Sequence, residues 1–433
     1  MIVFLIKVRV RTVFSVFEPV KVEPLELCCL KSVLDDMNVE NHLIDSMLGF
    51  KPPDNVAPGI VVLTGYNVAE NEIIKEAGIY KEKFPGVKII VGGVHVQGNP
   101  DGFHVDCVDY VCHTSSLKTF KALIEKIINN DDSLVTEGVD SLTEAEDSHE
   151  KHWHRGKKEA IYSNENIMAD RSIFNQIHDK LHYLEKRNVA LIKSSIGCPF
   201  NCSYCYCKEL NNNNYVKADY DKMAEEMEGI KADYFWIADD VLFSKRSDAL
   251  EFIDIVEKRN LKVKFIGYLR ADFILRESDL LEKLREAGLI EVIVGFEATN
   301  NDELKSYDKT TNALDYPKVI SLLKKNHIDL TALFMVQPHY EIKDFKNLRK
   351  FINDNDIEVY TVSILTPIKG TKDYELMKDD LITHNPEKFD FMHLVLKPKL
   401  PKWLFYALFY GIHLRMLKSK RIWKYILHKQ EIL

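Results

Sequence analysis

Short apolar runs separated by longer polar stretches dominate the first 130 residues. The runs Ile2–Val8, Val39–Ile44, Ile60–Thr64, Val87–Val91 and Val108–Cys112 predict strands. Leu25–Met37 and Ala69–Lys83 lie between them and Leu117–Asn129 follows the last; all three are helix-compatible. Continuous apolar strands joined by helical crossovers predict a doubly wound parallel sheet with α/β architecture over residues 1–130. Ligands of such sheets sit at the carboxyl ends of the strands. The loops there are Tyr66-Asn67, Gly92-Gly93-Val94-His95 and the stretch from His113 through Thr114 and Ser115 to Ser116.

Residues 131–187 break this pattern. Asp131, Asp132, Glu137, Asp140, Glu144, Glu146, Asp147 and Glu150 make the stretch acidic. It reads as a solvated linker, alone or with a small hairpin near Trp153–Lys158. His149, His152 and His154 cluster there, but no cysteine lies near them, so exposed loop histidines are the simpler reading. A second alternation fills residues 188–375. Its strands are Val189–Lys193, Tyr234–Ala238, Val263–Tyr268, Glu291–Val294, Leu330–Val336 and Val359–Ile364. Its helices include Ala218–Lys231, Asp248–Arg259, Glu277–Ala287, Tyr316–Asn326 and Lys343–Asp354. Six β/α units in series predict a partial parallel barrel, since eight would need a longer segment. Residues 376–433 form an aromatic, basic, helical C-terminal region.

Composition narrows the classes. With 46% apolar and 29% charged residues in 433, the chain is neither disordered nor collagen-like. A net charge of −8 argues against an open nucleic-acid binder. From Lys397 onward, however, nine Lys/Arg face the single acid Glu431. A helix in this tail either caps the barrel or lies on an anionic membrane surface. The longest apolar run, Trp403–Ile412, spans ten residues, about half of a membrane crossing. The apolar start lacks a basic leader and reads as a first strand. A soluble, cytoplasmic chain follows, peripheral to a membrane if the tail binds one. Its eight cysteines then point to metal or catalysis and not to a disulfide framework.

Cys198, Cys202 and Cys205 stand at C-x3-C-x2-C spacing just after a predicted strand. Three thiolates on one loop suit three corners of a [4Fe–4S] cube and leave one iron open to a ligand. Zinc fingers use two short pairs separated by a dozen or more residues, and no second pair exists here. The segment from Gly197 to Cys205, with Tyr204 in the aromatic slot, resembles the signature of the radical S-adenosylmethionine (SAM) enzymes. The resemblance implies a cluster on Cys198, Cys202 and Cys205, with SAM chelating the fourth iron. Reductive cleavage of SAM would yield a 5′-deoxyadenosyl radical, the electron coming from an external donor. Cys207 is either a spare ligand or a plain thiol. Cys28, Cys29, Cys107 and Cys112 read as core residues.

The resemblance extends over roughly residues 189–374. The run Phe235 to Asp240 ends the second barrel strand with two acids, and one of Asp239 and Asp240 would meet the SAM amine; an N-cap acid is the alternative. Arg270, in Tyr268-Leu269-Arg270-Ala271-Asp272, would pair with the SAM carboxylate or form a salt bridge with Asp272. Glu297, in Val294-Gly295-Phe296-Glu297, matches the family's ribose-contacting acid. Lys309 reads as a solvated lysine. Gln337 replaces an expected glycine and is a candidate polar contact to SAM. Thr366-Pro367-Ile368-Lys369-Gly370-Thr371 matches the family's last-strand loop.

Placed before such a barrel, the first domain resembles the Rossmann-like cobalamin-binding domain of the B12-dependent subgroup. The residues concerned are Glu23-Pro24-Leu25-Glu26-Leu27, Ile44-Asp45, Gly92-Gly93-Val94-His95 and Asn99-Pro100. No Asp-x-His-x-x-Gly motif follows the first strand, so cobalamin would bind without a protein histidine on cobalt. His113-Thr114-Ser115-Ser116 stands where relatives have Gly-Glu-Gly-Glu. Tyr66, Asn67, Gly92, Gly93, His95, Thr114 and Ser115 are the candidate contacts. The resemblance implies methyl transfer from methylcobalamin to an unactivated carbon, or less readily phosphorus, of a small-molecule or lipid acceptor. Two alternatives stay open: a radical cyclisation, rearrangement or oxidation without methylation, and a non-enzymatic cluster or cobalamin sensor. A tRNA methylthiotransferase is disfavoured, because the N-terminal half has no second cluster-like cysteine set.

Overall fold

A computed structural model describes residues 1–12, 18–131, 137–144, 151–158, 168–210, 215–217 and 219–430. The first region contributes β1 (Val3–Lys7), β2 (Val20–Lys21), β3 (Asn41–Ile44), β4 (Ile60–Thr64), β5 (Lys88–Gly92), β6 (Tyr110–Cys112), β7 (Val139–Glu144) and β8 (Lys151–His154). All but β2 form one sheet of order β3-β1-β4-β5-β6-β7-β8. The pairings from β3 through β6 are parallel. Every residue of β1 and β4 is buried, because helices cover both faces. The chain moves from β1 to β3 on one side and to β4 on the other. The strand order therefore reverses at the β1/β4 boundary, where the carboxyl ends of the strands leave a crevice.

The acidic stretch is more structured than its composition suggests. β7 and β8 form an antiparallel hairpin that extends this sheet from β6. Trp153 stacks on His104 with 4.3 Å between ring centroids. His152 and His154 are exposed, and His149 lies outside the described residues.

Next come β9 (His182–Tyr183), β10 (Lys186–Arg187), β11 (Val189–Ile192), β12 (Tyr234–Ile237), β13 (Phe265–Tyr268), β14 (Leu289–Glu297), β15 (Asp329–Val336) and β16 (Val359–Ile364). β11 to β16 pair in sequence order, all parallel, as an open six-stranded barrel. Side chains alternate across each strand. Ile266, Ile293 and Val359 pack inward with Trp236 and Tyr268, while Phe235 and Ile237 face the helices. The β9–β10 hairpin, paired with β2, closes the floor. There Tyr183 Oη donates to Thr331 Oγ1 at 3.2 Å, and Lys186 Nζ donates to the fully buried Glu291 at 2.7 Å. With the floor sealed, the open end is the carboxyl end of the strands, where the cysteine loop lies.

The helix Lys402–His413 packs on the open edge beside β16, its Phe405 5.2 Å from Phe345. No helix among the described residues is long and apolar enough to cross a membrane.

Candidate active site at the barrel mouth

The cysteine loop begins just past β11 and is tied down from several barrel strands. Asp239, at the end of β12, accepts from Ser194 N at 2.8 Å, Ser195 N at 3.0 Å and Ser194 Oγ at 2.7 Å. Both of its oxygens are engaged and it is buried. It clamps the first strand end to the second and caps no helix. Asp240 is half-buried and faces the thiol of Cys207 at 3.2 Å. Of the two acids, Asp240 is thus the one turned toward the cluster loop.

Within the loop, Cys205 N donates to Cys202 O at 3.1 Å and Ser203 N donates to Tyr307 O at 3.1 Å. Arg270 lies over the Phe200 ring at 3.9 Å. It also pairs with Asp272 at 2.9 Å and donates to Thr310 Oγ1 at 3.0 Å. The salt bridge weighed as an alternative for Arg270 is present, and the same guanidinium braces the loop. Tyr204 Oη donates to Glu297 at 3.0 Å. Lys309, expected in solvent, is instead buried and donates to Gly295 O at 2.5 Å and to Glu297 at 3.0 Å. Gln337 is buried too, its amide donating to Tyr307 Oη.

Glu297 has a left-handed backbone, φ 61°, at a register shift near the end of β14. Such strain in a non-glycine residue concentrates at functional sites. Gly295 permits it: a Cβ there would lie 2.2 Å from Glu297 Oε1.

The thiols have the chemistry of a ligand set. Burial pushes Cys198 up to about 11. Burial also raises Cys202, against the opposing influence of Lys309 and Arg270. Cys205 is held below the usual thiol range, chiefly by the hydrogen bond from Cys207, whose own thiol is driven far up. Cys205 is thus the readiest thiolate of the loop. Each of the three sulfurs influences the others electrostatically. Yet among the described residues no three His, Cys, Asp or Glu stand close enough to hold one metal ion.

The first domain turns its crevice toward this mouth. Tyr66, past β4, is exposed and carries Lys7 over its ring at 4.4 Å. Lys7 pairs with Glu26. Glu26 exposes 44% of its side chain, yet burial is the largest single influence on its carboxyl, outweighed by Lys7 so that its pKa falls. Burial raises Tyr206 and Tyr268, and Tyr66 and Asp240 both add to the effect. Tyr66 of the first domain and Asp240 of the barrel thus both lie within electrostatic reach of Tyr206 and Tyr268.

The other first-domain candidates lie at different places. Asn67 donates to Phe389 O in the C-terminal region. Gly92 ends β5 and Gly93 turns with φ 106°. His95 is buried with Nε2 2.6 Å from Glu70, so its polar edge is already used. Thr114 Oγ1 accepts from Ser116 N at 3.1 Å, and Ser115 is exposed. Sequence reasoning named Glu26 within the Glu23–Leu27 stretch but missed its partner Lys7. Lys7 stands at the end of an otherwise apolar strand, and that position was the available signal.

Residues 192–352 match the model of the radical SAM superfamily. The chain is 23% identical over 218 residues to hopanoid C-3 methylase of Methylococcus capsulatus, covering 50% of this chain and 42% of that protein. It is 24% identical to bacteriochlorophyllide d C-8(2)-methyltransferase of Chlorobaculum tepidum, covering 72% of this chain and 67% of that one. The chain thus spans less than half of the first relative and about two thirds of the second. Among solved structures, it superposes on the radical SAM methyltransferase TsrM of Kitasatospora setae, seen with cobalamin and a [4Fe–4S] cluster. The TM-score is 0.67 at 15% identity, over 92% of this chain and 82% of that one. The cysteine loop, the six-stranded barrel and the match over residues 192–352 therefore show a radical SAM domain in this chain, within a fold shared with a solved structure that holds cobalamin.

Proposed function

We propose that the chain is a cobalamin-dependent radical SAM methyltransferase. Its acceptor is an unactivated carbon, less readily phosphorus, of a small molecule or lipid. The observation that carries this reading is the close approach of the first domain to the cysteine-loop end of the barrel. Gly98, in the helix after β5, stands against Lys369 O of the loop after β16, and Tyr66, past β4, lies within electrostatic reach of Tyr206 beside Cys205 and of Tyr268 at the end of β13. When bound, the cluster with SAM supplies a radical able to abstract hydrogen, and cobalamin supplies a transferable methyl group.

The chain's own residues do the placing. Cys198, Cys202 and Cys205 hold the cluster. Asp240, whose oxygens are less engaged than those of Asp239, receives the SAM ammonium. Glu297, fixed by Tyr204 and Lys309, accepts the ribose hydroxyls. Arg270 holds the loop through Phe200 and Asp272. Gln337 supports the adenine side through Tyr307. Tyr66, Gly92 and Gly93 would hold cobalamin at the carboxyl ends of the first sheet's strands.

Protein purified without oxygen from cobalamin-fed cells should hold about four iron and one cobalt per chain. With a one-electron reductant it should release 5′-deoxyadenosine from SAM, and a methylated acceptor should gain ~14 Da. Iron and deoxyadenosine without cobalt or a mass gain would favour radical chemistry without methylation. Zinc in place of iron after anaerobic reconstitution would overturn the cluster assignment.

A further inference from the structure

We propose that the C-terminal helical region docks the protein on an anionic membrane surface. The helix Lys402–His413 buries Phe405, Phe409 and Ile412 against the barrel edge, and Tyr360 Oη donates to Ile412 O at 2.7 Å. Its other side stays uncovered. Trp403 is 72% exposed and Leu414 65%, with Tyr410 between them and Leu417 beyond, all exposed. Seven residues apart, Trp403 and Tyr410 share one face of the α-helix, and three apart, Leu414 and Leu417 share one face of the 3-10 turn Leu414–Lys418 that follows it.

The last helix, Lys420–Gln430, continues the surface and inverts the usual preference. Arg421 points inward to Glu185 and Glu291, each at 2.7 Å. Tyr425 Oη donates to Glu18 O at 2.9 Å. Trp423 and Leu427 point outward, beside exposed Lys420 and Lys424. A helix that served only to pack would place its indole inside and its guanidinium outside. Trp423 Nε1 donates to Leu417 O at 2.6 Å, joining the two uncovered faces.

Charge selects the occupant. Between Phe391 and Gln430 there is no Asp or Glu, although the whole chain carries −8. Lys418 borders the same face and is exposed. Indoles, a phenol and leucines ringed by lysines match the headgroup boundary of a bilayer containing anionic lipid. No described helix is long enough to span, so the region lies along the surface. A second copy of the chain fits less well, since pairing this face with itself would oppose lysine to lysine. The inference is independent of the methyl-transfer reading.

The test is flotation of the full chain with vesicles of phosphatidylcholine alone or mixed with about one third phosphatidylglycerol. Binding should occur to the mixed vesicles, weaken with salt and blue-shift tryptophan emission. The variant K418Q/K420Q/K424Q should lose roughly a hundredfold in partitioning, near fivefold per lysine removed. W403S/W423S should also bind weakly while keeping wild-type iron content and thermal midpoint. Three results would overturn the proposal: no flotation of the wild type, equal binding to both vesicle types, or a dimer that W403S/W423S abolishes without any vesicle binding.

Discussion

At the scale of the residue, two neighbouring acids are separated by what already binds them. Asp239 accepts three hydrogen bonds from Ser194 and Ser195. In Asp239→Ala the backbone N–H groups of Ser194 and Ser195 lose their buried acceptor. The change should cost about 3 kcal/mol in urea unfolding and lower iron content. Asp240→Asn should leave the unfolding midpoint within about 0.5 kcal/mol of the wild type. SAM affinity by isothermal titration should fall roughly tenfold, the scale of one charge-assisted contact. If the two variants behave alike, the division of labour between them is wrong. Gly295→Ala probes the neighbouring site: the added Cβ meets Glu297 Oε1 at 2.2 Å and Lys309 Nζ at 3.2 Å. Iron content should stay normal while the KM for SAM rises, with a stability cost of about 1–3 kcal/mol. The sequence marked Gly295 and Glu297 but left Lys309 in solvent. A lone lysine has no periodic signature, and its partners are Gly295 and Glu297 on another strand.

At the scale of elements, apolar runs were readable wherever burial is two-sided. The run Ile60–Thr64 is a strand with those bounds, and all six expected barrel strands are present. Elements held by polar contacts were harder to read. The β7–β8 hairpin has an acidic sequence, and its registration depends on Asp140. That carboxylate lies 2.8 Å from His104 Nε2, 3.1 Å from His113 Nε2 and 2.9 Å from Gly156 N. Burial pushes its pKa up, but the His113 and His104 hydrogen bonds outweigh that and hold it below the ordinary range. A depressed carboxylate stabilises the fold fully above its unfolded value, about 3.9. That contribution is lost as pH falls through the folded value. Asp140→Asn should therefore cost about 2 kcal/mol at neutral pH. The gap to wild type should hold down to about pH 4 and narrow below it, as urea midpoints at several pH values would show. A gap that widened in acid would contradict the assignment. The two-residue strands β2, β9 and β10 were unreadable for a different reason: they are too short for any period to show.

At the scale of the whole molecule, function depends on how the two sheets face each other, and backbone sets that distance. The helix Val94–Gly98 leaves the first sheet and meets the loop after β16. A Cβ at Gly98 would stand 2.8 Å from Lys369 O, and one at Gly370 3.0 Å from Gly98 O. Around this contact, Glu70 binds His95 at 2.6 Å and Asn99 at 2.9 Å, with Lys369 at 3.9 Å. The buried His95 thus supports the junction between the domains. Gly98→Val should push the first domain away from the barrel without touching the cysteine loop. Iron content and reductive SAM cleavage belong to the barrel alone and should persist. Under the proposed methyl transfer, product formation needs both cofactors on one substrate, and a misplacement near 1 Å can cost about a hundredfold. The expected signature is deoxyadenosine released at a near-normal rate with methylated product reduced tenfold or more. Equal loss of both would mean that the contact supports the barrel itself. Loss of neither would mean that the site tolerates a looser junction than two glycines in backbone contact imply.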